Sequence, residues 1–398
     1  MTSTTLSTLT LIALVAVVAP LLSEVTRNRV PGVVIELAAG ILIGPDLLGW
    51  ATTDAVVTTL GAMGLTFLFF MAGFELDIAR IKGKPLNLAV GGWFASLALA
   101  FACAGFLVFL DVGLSTLLIG LALTTTALGT LLPILGENGE VETRFGSFVI
   151  AIGGAGEFLP IVAIALFLTT DHPFAEVLLL VGFVVLAVGA VAVALRPTPS
   201  RLQIVLGRTL NSPSQLPIRI AVLLIVLLVW VASHLGLDTL LGAFVAGLIV
   251  RQANHDESAD VIETKLSALS YGLFIPVFFV VSGMGFDLDA LTRDPSTLLR
   301  LPLFLALFFV VRGIPTLLIH ARALPRTELM PAALLASTAL PLVVAITTIG
   351  VDQGRMRPAN AAALVGAGML SVLFFPLGAF ALRRRTTRRE AVAEARGT

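Results

Sequence analysis

The sequence predicts an all-α polytopic membrane protein of about 13 transmembrane helices, built as two inverted repeats of six with a linker helix between them. Three observations carry that prediction. Of 398 residues, 57% are hydrophobic and 13% charged, with a mean hydropathy of +1.02, far from a soluble globular average. Apolar stretches long enough to cross a bilayer follow one another along the whole chain. Short motifs recur at a nearly constant offset between the two halves.

Spans are expected to begin near Leu6, Val30, Ala55, Leu86, Leu114, Phe145 and Phe174, then near Leu216, Leu237, Leu266, Leu298, Leu329 and Ala359. The stretch before Leu6 carries no Lys or Arg, so it lacks the basic segment of a secretory signal and Leu6 opens the first span. The shortest span, Leu237 to Val250, is fenced by Asp238 and Arg251; burial against neighbours accommodates such a length. The expected division is an exchanger-type transmembrane domain over 1–383, with repeat one at 6–170, a linker helix at 174–195 and repeat two at 216–383. A short basic tail, 384–398, follows. The single thiol, Cys103, excludes an internal disulfide or a cysteine-based metal site.

Basic residues concentrate in cytoplasmic loops, and their placement tests the span count independently. One set of alternating loops, with the tail, holds 20 of the 25 Lys and Arg; the other holds only Arg293, Arg300, Arg355 and Arg357, and Arg312 lies within a span. The expected topology in the cell membrane is therefore N-terminus outside and C-terminus cytoplasmic. The arginines after Leu382 suit anchoring and attraction to anionic lipid.

The repeat is visible in particular residues. Thr125-Thr126-Ala127-Leu128 is echoed by Ser337-Thr338-Ala339-Leu340, and Gly154-Ala155-Gly156 by Gly366-Ala367-Gly368, both at an offset of 212. Phe69-Phe70 with Phe278-Phe279 gives 209, Asp77 with Asp287 gives 210 and Ala39-Gly40 with Ala246-Gly247 gives 207. The halves enter the membrane from opposite sides, which makes the repeat inverted.

Spans five and twelve read as broken midway. Thr124-Thr125-Thr126 precedes Gly129 and Pro133, and Ser337-Thr338 precedes Pro341, placing backbone-competing hydroxyls and helix breakers at the centre of apolar segments. Broken helices at membrane depth are tolerated where they line a site, and their half-helix ends present partial charges to ions. The alternative is that these hydroxyls bond back onto their own helices around a harmless kink.

Beside these breaks lies Glu157, the one charge in the apolar run Phe145 to Leu168. A carboxylate at that depth costs several kcal/mol unless paired, wetted or protonated, and so marks a functional-site candidate. Arg312 is the second such charge, within Leu298 to Ile319. Its repeat counterpart is Ala100, and that of Glu157 is Met369, so duplication explains neither. The candidate ion- and proton-binding set is Glu157, Thr125, Thr126, Ser337 and Thr338, with Arg312 as supporting charge. A structural ion pair between Glu157 and Arg312 is the alternative. Glu36, six residues into span two, is a further candidate, against which stands a role at the headgroup level.

The chain resembles the cation/proton exchanger domain of the monovalent cation:proton antiporter-2 family, within the sodium/proton antiporter fold. The resemblance is carried by Pro31-Gly32-Val33-Val34-Ile35-Glu36-Leu37 leading to Gly40-Ile41-Leu42-Ile43-Gly44-Pro45, and by Phe67-Leu68-Phe69-Phe70-Met71-Ala72-Gly73-Phe74-Glu75-Leu76-Asp77. Leu241-Gly242-Ala243-Phe244-Val245-Ala246-Gly247 and Ile275-Pro276-Val277-Phe278-Phe279-Val280-Val281-Ser282-Gly283 extend it. It implies a homodimer in which a core of spans four to six and eleven to thirteen moves against a dimerisation domain. Such families show Asp-Asp, Asn-Asp or Gln-Asp on span six, whereas this chain has Gly156-Glu157, so Glu157 matches the ion-binding Asp. In this fold a paired carboxylate and a span-eleven Lys accompany two-proton exchange; Gly156 and Arg312 imply one proton for one cation.

The expected activity is thus electroneutral exchange of Na+ or K+ against H+, with proton and cation competing at Glu157 inside an all-oxygen shell. No cofactor beyond the transported ions and no nucleic-acid partner is expected. A Kef-like potassium/proton exchanger without its regulatory domain, or a proton-coupled transporter of an organic solute, are the alternatives. A channel's continuous polar stripe, a nucleophile with its base, a Walker lysine and a dinucleotide fingerprint are missing from the sequence, so an enzyme is not expected.

Overall fold

The computed structural model describes residues 2–26, 30–75, 83–109, 116–167, 212–235, 239–253, 259–292 and 295–395, with 182, 189, 205 and 207–210. Every regular element among them is helical. Nine of these helical stretches are long and apolar enough to cross a membrane, and Gly32–Ile43, Thr116–Leu132 and Thr239–Ala253 are shorter apolar stretches. They coincide with the expected spans apart from the seventh. Apart from residues 182 and 189, that expected linker lies outside the described residues, as do Arg27, Arg29, Asp77, Arg80, Lys82, His172 and His255.

In chain order the helices are α1 (Ser3–Val25), α2 (Gly32–Ile43), α3 (Ala55–Glu75), α4 (Lys84–Phe109), α5 (Thr116–Leu123), α6 (Leu128–Glu137), α7 (Arg144–Phe167), α8 (Leu216–His234) and α9 (Thr239–Ala253). Then come α10 (Ala259–Leu269), α11 (Ile275–Met284), α12 (Leu288–Thr292), α13 (Pro295–Phe308), α14 (Ile314–Ile319), α15 (Arg326–Ala336), α16 (Pro341–Asp352) and α17 (Pro358–Ala395). They group into two compact units. One comprises Met1–Ala16, Thr53–Asp77 and Ile161–Val281; the other comprises Val17–Thr52, Ile78–Pro160 and Ser282–Thr398.

In the first unit, Asp54 opens α3 by accepting hydrogen bonds from the amides of Val56 (3.0 Å) and Val57 (2.9 Å), while the Thr5 hydroxyl donates to its other oxygen. The Thr5 hydroxyl, first, and the Val57 amide hold the Asp54 carboxyl below the usual carboxylate range. A Cβ at Gly73 would overlap the carbonyl of Phe244, and one at Gly247 the carbonyl of Phe70, so α3 and α9 meet backbone to backbone. At the end of α3, Glu75 accepts from the Tyr271 hydroxyl at 2.6 Å.

The second unit holds both interrupted spans. The chain leaves helix at Thr124–Ala127, between α5 and α6, and again at Ser337–Leu340, between α15 and α16. Pro341 lacks an amide and starts α16 where a helix tolerates proline best. Between these spans in sequence runs α13, widened at Phe309–Gly313 into a π-turn before it continues as α14. That turn carries Arg312, and π-turns are found preferentially at functional sites. At the far end of the unit, Arg383 binds both oxygens of Glu140 (2.6 and 2.8 Å) and Glu328 (3.0 Å), with its guanidinium 3.9 Å over the Phe145 ring.

Candidate functional site

The two breaks are tied to each other and to α7 through backbone groups that an unbroken helix would have used internally. Ala127 donates its amide to the Thr338 carbonyl at 2.8 Å, joining the first break to the second. Thr126 donates its amide to the Gly156 carbonyl of α7 at 2.9 Å. The Leu128 amide, the first of α6, donates to Glu157 Oε2 at 3.1 Å. Glu157 is 7% exposed and therefore sits, buried, at the positive end of a half-helix. A charge-assisted bond to a helix N-terminus is among the few arrangements that hold an ionised carboxylate at membrane depth.

Arg312, 2% exposed, points its guanidinium into the same crossing. Nε donates to Thr126 Oγ1 at 2.9 Å, Nη2 to the Ile152 carbonyl at 3.0 Å and Nη1 to Ser96 Oγ at 3.4 Å. The Thr126 hydroxyl in turn donates to the Ala336 carbonyl, the last of α15, at 2.5 Å. The positive charge thereby reaches the negative end of a half-helix through one hydroxyl. Gly156 makes room for this: a Cβ there would lie 2.5 Å from Arg312 Nη2 and 2.6 Å from Thr126 Oγ1. Its repeat counterpart Gly368 serves the other break in the same way, since a Cβ there would lie 2.8 Å from the Ala339 carbonyl.

The other expected site residues divide by where their hydroxyls go. Thr125 donates to Ala122 (2.8 Å), Ser337 to Ala333 (2.7 Å) and Thr338 to Leu334 (3.3 Å), each back along its own half-helix, leaving oxygen lone pairs at the breaks. Thr126, in contrast, both accepts and donates across the crossing. Glu36 is buried on α2, and among the described residues no hydrogen bond joins it to the breaks. No group of three His, Cys, Asp or Glu able to hold a metal occurs among the described residues.

Several buried polar residues were not singled out by the sequence, among them Ser96, Ser371 and His320. Ser96 receives the Arg312 guanidinium, Ser371 bonds to both main-chain groups of Ala339, and His320 is 1% exposed at the end of span eleven. Span eleven runs on past Ile319 through a tight turn at His320–Arg322, which draws His320 inside.

The chain matches the family described as sodium/hydrogen exchanger, transmembrane, over residues 13–383. It is 27% identical over 400 residues to the putative Na+/H+ antiporter YjbQ of Bacillus subtilis (strain 168), covering 95% of this chain and 63% of that protein. It is 26% identical over 270 residues to the Na+/H+-K+ antiporter GerN of Bacillus cereus, covering 66% of this chain and 67% of that one. The chain thus spans about two thirds of the length of these relatives. Among solved structures it resembles that of the sodium proton antiporter MjNhaP1 from Methanocaldococcus jannaschii at pH 8. The TM-score is 0.66 at 19% identity, covering 93% of this chain and 96% of that one, a likeness in fold.

Proposed function

The chain belongs to the sodium/hydrogen exchanger family, and on that premise we propose that it is a secondary-active antiporter exchanging one proton for one monovalent cation, Na+ or K+, by alternating access. The observation that carries this is the Leu128 amide bound to the buried carboxylate of Glu157 at the interrupted helix. A carboxylate so placed can be neutralised by a proton or by an alkali cation, and occupancy by one displaces the other. The lone pairs of Thr125, Ser337 and Thr338 and the carbonyls of the breaks supply hard oxygen ligands for such a cation. Thr126 is engaged by Arg312 and Ala336 and acts by holding the crossing.

Arg312 keeps its charge in both states. The site therefore alternates between protonated Glu157 and Glu157 with a bound cation, two states of equal net charge, and the exchange is electroneutral. The ions are cargo, and no resident cofactor enters the scheme. The relatives' names include both sodium and potassium, in keeping with either cation. The proposed assembly is a homodimer with repeats at 6–170 and 216–383 about a linker helix at 174–195. Its orientation is N-terminus outside and C-terminus cytoplasmic.

The test is flux in everted vesicles loaded with a pH dye, with Na+, K+ or Li+ added in turn and with or without an imposed voltage. Wild-type protein is expected to show cation-dependent proton movement insensitive to voltage, and Glu157→Gln none. Exchange retained in Glu157→Gln would move the site elsewhere, and the absence of any cation dependence would favour an organic solute.

A further inference from the structure

The inverted repeat gives two half-helix N-termini, α6 and α16, and they are terminated by different chemistry. At α6 the Leu128 amide is met by the carboxylate of Glu157, a partner that can change its protonation state. At α16 the break just before the first turn is held by a neutral hydroxyl instead. Pro341 brings no amide N–H, and two residues before it the Ala339 amide donates to Ser371 Oγ at 3.0 Å. Ser371 Oγ also lies within donating distance of the Ala339 carbonyl (2.9 Å) and the Gly368 carbonyl (2.7 Å), and the residue is 0% exposed. A hydroxyl of this kind stays neutral across physiological pH, so unlike Glu157 it does not change charge as protons come and go.

Ala339 is adjacent to Thr338, whose carbonyl receives the Ala127 amide, and Ala127 is adjacent to Leu128, which holds Glu157. A path of three hydrogen bonds joined through adjacent residues therefore runs from Ser371 to the exchanging carboxylate. The close approach at Gly368 keeps α17 near enough for Ser371 to reach.

We propose that Ser371 is a positioning residue for the cation site: it pins the second break to α17 so that Thr338 holds the first break in register with Glu157. This rests on the proposed exchange at Glu157 and adds to it that one break is a fixed wall and the other carries the exchangeable contact. Loss of the hydroxyl frees the Ala339 amide and loosens the oxygen cage without removing the acid that exchanges. Binding weakens, whereas the exchange step persists.

The experiment measures apparent cation KM and maximal rate in everted vesicles for Ser371→Ala, Ser371→Cys and Thr347→Ala, normalised to folded protein. Thr347 is an equally buried hydroxyl on α16 whose bonds go only to its own helix, at Val343 and Val344, both 2.9 Å. Ser371→Ala is expected to raise KM by about fivefold or more with the maximal rate within about twofold of wild type. Ser371→Cys, a weaker hydrogen-bonding group of similar size, falls between, and Thr347→Ala leaves KM unchanged. An unchanged KM in Ser371→Ala, or an equal rise in Thr347→Ala, overturns the proposal. If the alanine variant does not fold, Ser371→Cys decides by the same criterion. Glu157→Gln in the same assay separates the two ideas, because retained exchange there defeats the exchange site itself, whatever Ser371 does.

Discussion

The guanidinium of Arg312 fills the space beside Gly156 in which any other residue would have to place its side chain. A Cβ at position 156 would lie 2.5 Å from Arg312 Nη2, closer than real Cβ contacts come. The missing side chain and the buried cation are thus two halves of one arrangement, and a side chain next to Glu157 would require Arg312 and Thr126 to shift.

Gly156→Asn is accordingly expected to destabilise the protein by about 1–3 kcal/mol through overpacking. Combining it with Arg312→Ala, which vacates the space, should cost less than the sum of the single changes by at least about 0.5 kcal/mol. Thermal unfolding of detergent-purified single and double variants measures this. Additive losses would show that the two residues do not share one space.

Arg312→Lys is expected to behave as a loss, since one ammonium cannot reproduce bonds at 2.9 Å to Thr126 and 3.0 Å to Ile152 from the two edges of a planar fork. We expect about 2–4 kcal/mol of destabilisation for Arg312→Lys or Arg312→Ala. Thr126→Ala combined with either should add little, because Thr126 carries the Arg312 contact to Ala336. A double variant losing the full sum of the two effects would contradict that chain of bonds.

Asp54 provides a pH dependence outside the membrane spans. Its folded-state pKa is lowered, chiefly by the Thr5 hydroxyl and the Val57 amide, so its contribution is present above the ordinary carboxylate value and is lost as pH falls through the depressed one. Asp54→Ala should therefore lower Tm at neutral pH, and the difference from wild type should shrink on acidification below the ordinary carboxylate range. A Tm difference that stays constant into strong acid would mean that the cap contributes through something other than its charge.

The Arg383 cluster joins the loop before α7, the start of α15 and the C-terminal half of α17 through three contacts of 2.6 to 3.0 Å. Its side chains are partly buried, at 18%, 15% and 23% exposure, so water screens it only in part. Arg383→Ala is expected to cost about 2 kcal/mol, with Glu140→Gln less costly in that background than in wild type. Equal cost in both backgrounds would show the pair to be uncoupled.

Much of this arrangement was legible in the sequence, for physical reasons that differ by residue. Glu157 and Arg312 stand out because charge in an apolar run is expensive, and both breaks are announced by hydroxyl clusters followed by proline. The hydrogen-bonding roles were not legible. Arg312 reaches Thr126 across 186 positions and Thr126 reaches Ala336 across 210, contacts that no local periodicity encodes. Ser371 reads as an ordinary small residue in an apolar helix until α17 is seen against the second break. The burial of His320 was not legible either, because the turn of His320–Arg322 prolongs span eleven beyond the point where hydropathy falls.

The most direct measurement is the number of protons released when Na+ or K+ is titrated into weakly buffered purified protein. One proton should leave for each cation bound by wild-type protein, and neither binding nor release should survive in Glu157→Gln. Cation binding without proton release, or release undiminished in Glu157→Gln, would contradict competition for that carboxylate.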